Sequence, residues 1–258
     1  NEKEKAEELQ SELIEKAAEN DESLMELFFE NDTLTEDEMR KGIKAGLIQR
    51  GMFPVFCISA KSNMGVNRLM EFIDNVAPLP YEMPTPKNAE GNDVVCDKSG
   101  NTSLFVFKTS VESHIGEINF FKVMSGEVSE GMDLVNQNNY TKERLSQLYV
   151  VAGKNRTKVE KMVAGDVGAT VKLKNTKSNQ TLNISSADFT YDAIEFPNPK
   201  YRSAIKPLSE GDEEKLGEAL GRMSQEDPTI VVTPIDSTKF IGGAGIVAAH
   251  AAGLGGRS

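Results

Sequence analysis

Between Phe53 and Gly65 the chain reads FPVFCISAKSNMG. The apolar run Phe53–Ile58 is expected to form a strand that delivers Ser59, Ala60 and Lys61 into a turn, and Gly65 precedes a new helical pattern. In α/β sheets this strand–loop–helix order places backbone N–H groups and a positive charge at the carboxyl end of a strand, where nucleotides bind. Two charged regions could also recognise something. Residues 142–177 hold Lys142, Arg144, Lys154, Arg156, Lys158, Lys161, Lys172, Lys174 and Lys177 against Glu143, Glu160 and Asp166. This excess suits the phosphates of a nucleic acid, with Lys142, Arg144, Lys154, Arg156 and Lys158 as the candidate contacts. Aromatic residues there are few, Tyr140 and Tyr149, so contact with backbone or folded RNA shape is expected rather than base stacking. Residues 1–40 hold 15 acidic residues against Lys3, Lys5, Lys16 and Arg40, which accounts for the whole net charge of −11. Such a run is a solvated helical face, or an acidic surface for a basic partner.

Other chemistries lack their residues. A phosphate-binding loop, GxxxxGK[ST], needs consecutive N–H groups at a helix start plus a lysine. The one Gly-Lys pair, Gly153-Lys154, has Leu148 in place of the first glycine and Asn155 in place of the hydroxyl residue. No Asn-Lys-x-Asp signature for reading guanine is present. Asp97-Lys98-Ser99-Gly100 fits a phosphate-switch pattern but reads better as a turn. Gly243-Ala244-Gly245-Ile246-Val247-Ala248 matches a dinucleotide fingerprint without the downstream acid that such a site requires. His114 and His250 are the only histidines, Cys57 and Cys96 the only cysteines. Neither a triad, a metal cluster nor a disulfide framework follows from them.

The elements that would position these groups come from periodicity. Leu9, Leu13 and Ala17, then Leu24, Leu27 and Phe28, predict amphipathic helix over residues 2–30 with a break near Asn20-Asp21. Thr35 and Glu38 form a capping-box pattern, worth ~1 kcal/mol, that opens a helix running to about Gln49. Val66, Leu69, Met70, Ile73 and Val76 share one helical face, which Pro78 and Pro80 terminate. After a proline-rich stretch the texture changes to short β-branched or aromatic runs at 104–108, 118–123, 132–135, 145–151, 169–173 and 180–184, separated by glycine turns. This pattern predicts a closed β-barrel. Tyr201–Lys206, Asp212–Gln225 and Thr229–Thr233 predict strand, helix and strand, the helix burying Leu216, Ala219, Leu220 and Met223.

In their order along the chain these segments resemble bacterial translation elongation factor G. SLMELFFENDTLTEDEMRKGIKAG and PVFCISAKSNMGVNRLMEFIDNVAPLP resemble the helical insert and the end of its G domain. HIGEINFFKVMSGEVSEGMDLVN, KERLSQLYVV, KVEKMVAGDVGATVKLKNTKSNQTL and IEFPNP resemble its second domain, and DEEKLGEALGRMSQEDPT its third. The resemblance implies a multidomain α/β plus all-β fold. Residues 1–80 are the C-terminal part of a G domain with its helical insert, and 81–92 a linker. Residues 93–195 are the β-barrel of domain II, 196–233 the start of an α+β domain III, and 234–258 a Gly/Ala-rich tail foreign to the family.

Functionally the resemblance implies a cytoplasmic, monomeric translational GTPase that drives tRNA and mRNA movement on the ribosome, with GTP and Mg2+ bound by the full-length parent and neither by this stretch alone. Ser59, Ala60 and Lys61 correspond to the guanine loop. The barrel is expected to touch small-subunit RNA and protein, and the acidic insert the ribosomal stalk protein; DNA and membrane are not expected partners. Lys61, Lys154-Asn155-Arg156 and Lys200-Tyr201 depart from the usual residues, which points to a divergent paralogue. The alternative is a non-catalytic ribosome-binding module, from a ribosome-protection factor or a hydrolysis-independent paralogue.

Overall fold

The helical break near Asn20-Asp21 is a cap. In the computed structural model α1 spans Glu2–Ala18 and α2 Glu22–Asn31, and the Asp21 carboxylate accepts from the N–H groups of Ser23 at 3.0 Å and Leu24 at 3.3 Å. Those amides would otherwise be unpaired at a helix start. Helix α3, Glu36–Ile48, opens with the expected capping box: Glu38 N–H donates to Thr35 Oγ1 at 3.4 Å, and Thr35 N–H donates to the Glu38 carboxylate at 2.8 Å. Residues 2–112, 115–207, 209, 211–235 and 246–252 are described, and the chain divides into two units, residues 1–84 and 85–258.

In the first unit, α1 and α3 approach so closely that a Cβ on Gly42 would lie 2.3 Å from the Ala17 carbonyl oxygen. The crossing lets Ala17, Ile43 and Val76 form one small core, while Ala18, Leu24 and Leu34 form another. Helix α4, Val66–Asn75, buries no residue fully; Met70 and Ile73 remain at least half exposed.

The strand predicted at 53–58 does not form. Phe53 is 77% exposed and Val55 90%, and no strand exists among the described residues of this unit to share a ladder. An extended segment without a neighbour leaves its N–H and C=O groups to water, and its apolar side chains lose the sheet faces they would have packed on.

The second unit is built on short strands: β1 Ser103–Glu112, β2 Gly116–Ser125, β3 Glu127–Ser129, β4 Asp133–Asn136, β5 Thr141–Arg144, β6 Leu148–Ala152, β7 Asn155–Val159, β8 Lys161–Val163, β9 Val167–Val171 and β10 Gln180–Asn183. All pairings are antiparallel, and eight strands join in the order β5-β4-β10-β1-β2-β9-β6-β7. The sheet curls into a barrel around one core of Leu104, Val106, Phe121, Val123, Val128, Leu134, Leu145, Leu148, Met162, Leu173 and Leu182. Strand β3 pairs with β8, and Glu130 N–H donates to Glu160 O at 2.9 Å. That bond brings the β7–β8 connection against the approach to β4.

All six predicted runs contain a strand; β3, β5, β7 and β8 are too short or too polar to show a period in the sequence. Residues 86–94, most of which fall in the expected linker, instead fold onto this unit as a turn around buried Asn88, whose Oδ1 accepts from the N–H groups of Glu90 at 3.1 Å and Asn92 at 2.8 Å.

Beyond the barrel come β11 Lys200–Ile205, α5 Glu213–Glu226, β12 Ile230–Ile235 and β13 Ile246–Ala252, with sheet order β11-β13-β12. Of the four apolar residues expected to be buried by α5, only Leu220 is fully so; Leu216 is half-buried, and Ala219 and Met223 are exposed. The three strands leave most of that helix face uncovered. Residues 246–252, expected within a structureless tail, provide the central strand. Ladder formation needs only backbone groups, so small side chains do not prevent it. The rest of that tail, 236–245 and 253–258, and both His114 and the first glycines of the Gly243–Ala248 fingerprint lie outside the described residues.

Candidate functional site

Ser59 and Met64 exchange two backbone hydrogen bonds of 3.0 Å, closing a turn in which Asn63 N–H donates to Ala60 O at 3.2 Å and Ser62 N–H to Ser59 Oγ at 3.3 Å. Gly65, at φ 74°, then releases the chain into α4. The turn engages the Ser59 hydroxyl as an acceptor. The N–H groups of Ala60 and Lys61 are engaged by no acceptor among the described residues, and both side chains are exposed. Two free amides and an ammonium can meet one edge of a planar base. No group of His, Cys, Asp or Glu among the described residues is arranged to hold a metal ion. These residues therefore do not by themselves fit a magnesium nucleotide, and no phosphate chemistry is assigned to them.

Three of the five basic candidates are met by a carboxylate. Lys142 and Arg144 lie on β5 at one end of the strand order, while Arg156 and Lys158 lie on β7 at the other, with Lys154 in the turn before β7. Around β7 the charges are met across strands. Arg156 is bonded to Glu112, Lys158 to Glu130 at 2.8 Å and Lys161 to Glu127 at 2.9 Å. The Glu130 hydrogen bond is the main reason that the Lys158 ammonium is held above its ordinary pKa. Arg144 faces Asp133 at 3.3 Å. Of the five candidates only Lys142 and Lys154 have no carboxylate partner among the described residues.

A buried polar cluster escaped the sequence reading. Glu143, 3% exposed, points inward between outward-facing Lys142 and Arg144. Its carboxylate accepts from the N–H groups of Lys174 at 3.1 Å and Asn175 at 2.6 Å, and from Thr176 Oγ1 at 3.0 Å. Asn136 Nδ2 donates to Thr176 Oγ1 at 3.1 Å, and Asn139 Nδ2 to Asn175 O at 2.7 Å. The loop between β9 and β10 is thereby tied to the β4–β5 hairpin. A single acid alternating with two cations on an edge strand was the available signal, since alternation turns it to the core face. At the barrel's other side Ser103 Oγ bonds Asn183 Oδ1 at 2.7 Å and the Tyr191 hydroxyl at 2.8 Å. Burial pushes the Tyr191 phenol up to about 12.

Residues 101–185, spanning nearly the whole barrel, match the model of elongation factor G domain 2, and residues 196–245 match that of elongation factor G domain III. The domain III match continues past Thr229, where the sequence resemblance fades. A crystal structure of a Thermus thermophilus protein superposes with a TM-score of 0.75 over 97% of this chain at 25% identity. The chain spans 35% of that protein's length. No helix among the described residues is long and apolar enough to cross a membrane. Carrying these two matched domains in consecutive order, the chain belongs to the elongation factor G type of translational GTPases.

Proposed function

We propose that this chain serves as the ribosome-docking portion of an elongation-factor-G-like protein that promotes GTP-dependent movement of tRNA and mRNA in the cytoplasm. The observation that supports this is the succession of a domain II match over residues 101–185 and a domain III match over residues 196–245. The barrel contacts small-subunit RNA and protein, and the acidic helices α1–α3 face the stalk protein. GTP with Mg2+ belongs to the full-length parent, in which Ser59, Ala60 and Lys61 complete the guanine pocket. Two amides and a lysine supply about 1–3 kcal/mol of contacts. That corresponds to affinity weaker than about millimolar, so the chain alone neither binds nor hydrolyses GTP.

Co-sedimentation with bacterial ribosomes across a salt series tests the docking. Association that falls steeply with salt is the expected result, because phosphate contacts release counterions. Absent or salt-independent association refutes it. Calorimetry tests the nucleotide statement separately, and micromolar GTP affinity would overturn it.

A further inference from the structure

The RNA-facing side of the barrel is the end that carries Tyr140, Lys142, Lys172 and Lys174, we infer, and it takes an unpaired base together with its flanking phosphates. This inference rests on the docking role proposed above. Tyr140 is 76% exposed and holds φ at 59°, a left-handed conformation that a bulky residue rarely adopts. The turn imposes it: Tyr140 N–H donates to Asn136 O at 2.7 Å, and Asn139 Oδ1 accepts from Thr141 N–H at 3.0 Å and from its hydroxyl at 2.6 Å. A ring kept in water by a strained and fully bonded turn gains nothing for the barrel's core. It is a preformed stacking platform.

The charges beside it are positive and unpaired. Lys142, Lys172 and Lys174 are exposed and have no carboxylate partner among the described residues. The acid between Lys142 and Arg144 is removed from the surface, because Glu143 is turned inward onto the Lys174 and Asn175 amides. The same bonds, with Asn139 to Asn175 O, fix the lysine-bearing loop to the tyrosine-bearing turn. Carboxylates flank the loop in two places: Glu117, bonded at 3.3 Å to the Asn119 amide that also donates to Thr176 O, and the far end, where Asn179 is bonded to Ile194 between Asp192 and Glu195. A fixed ring among unneutralised ammonium groups matches single-stranded RNA, whose base stacks while its phosphates meet the cations. Duplex offers no free base face.

The test is fluorescence anisotropy of the whole chain with an end-labelled RNA stem-loop, against a blunt duplex of the same stem. Y140N removes the ring while keeping a residue that tolerates the left-handed turn, and it is expected to weaken stem-loop binding roughly 5- to 100-fold. Y140F is expected to bind like wild type. The triple change K142E/K172E/K174E lowers the log–log salt slope by about 2, at about 0.7 per single-strand phosphate contact. Wild-type affinity in Y140N, equal binding to the blunt duplex, or loss of binding only in K154A/R156A/K158A each overturns this face. A wild-type chain that co-sediments with ribosomes yet ignores the stem-loop overturns this inference alone. Absent co-sedimentation overturns the docking role beneath it.

Discussion

Replacing Glu143 by alanine is predicted to unfasten the β9–β10 loop and to destabilise the barrel. The carboxylate is the acceptor for three donors, at 3.1, 2.6 and 3.0 Å, and the site is 3% exposed. Hydrogen bonds to a charged acceptor contribute about 1.5–3 kcal/mol each, but they are not additive when they share one group. Two of the three donors are only partly buried and recover water when the loop lifts, so their loss is discounted. The expected cost is about 3–5 kcal/mol, within the range known for breaking a buried polar network. Against a total of about 5–15 kcal/mol for an ordinary domain this is a large fraction.

Urea unfolding followed by far-ultraviolet circular dichroism should show the midpoint falling by about 1.5–2.5 M for a slope of about 2 kcal/mol per molar. Hydrogen exchange should show the Lys174 and Asn175 amides losing protection before the rest of β9 and β10. E143Q is the discriminating companion. Its remaining oxygen can keep the Asn175 and Thr176 donors while its NH2 group faces the Lys174 amide, so it should lose roughly half as much. An E143A protein within about 0.5 kcal/mol of wild type, with the two amides still protected, would refute the clamp.

Three further outcomes follow from the same geometry. T35A should cost about 0.5–2 kcal/mol through loss of the α3 cap, read from thermal unfolding. The Thr35 N–H holds the Glu38 carboxyl below its ordinary value, so the box's contribution is present above the usual carboxylate range and fades as pH falls through the lowered value. G42A gains about 1 kcal/mol of helix propensity, but its Cβ would stand 2.3 Å from the Ala17 carbonyl. Net destabilisation is therefore expected, and a raised melting temperature would disprove the close α1–α3 crossing. Y191F should cost about 1 kcal/mol by removing the Ser103 hydrogen bond. Because the folded phenol is pushed up to about 12, wild-type stability should be flat below pH ~10, the unfolded value, and fall as pH rises towards that folded value. The Phe variant should show less of this alkaline loss in a pH series of urea midpoints.

Much of the fold was legible because local chemistry and long-range packing agree. Thr35 and Glu38 announce a helix start whatever surrounds them, and Leu104, Val106, Phe121 and Val123 alternate because one face of each strand meets the core. The residues 53–58 mislead for the opposite reason. Their apolar, β-favouring composition is real, yet a strand is a pairwise object, and composition cannot say whether a partner is at hand. Residues 246–252 show the converse, since poor side-chain propensity does not prevent pairing once two neighbours flank the segment.

The candidate surface was misplaced by a related effect. Counting charges in the window 142–177 finds a positive excess, but a window along the chain is blind to what faces it across strands. Glu112, Glu127, Glu130 and Asp133 all lie outside that window, and each is bonded to a cation inside it. Only Arg144 and Asp133 are opposite each other in a strand register. Lys161 stands opposite Ser129 and reaches Glu127 on the diagonal, while Arg156 and Lys158 are met by Glu112 and Glu130, which are not their ladder partners. Lys172, Lys174 and Lys142 meet no carboxylate within ion-pair reach among the described residues, and the acid next to Lys142 spends its carboxylate inward on the loop. An edge strand with one buried acid thus sorts its charges by side, and the resulting basic face belongs to the loop that the acid holds.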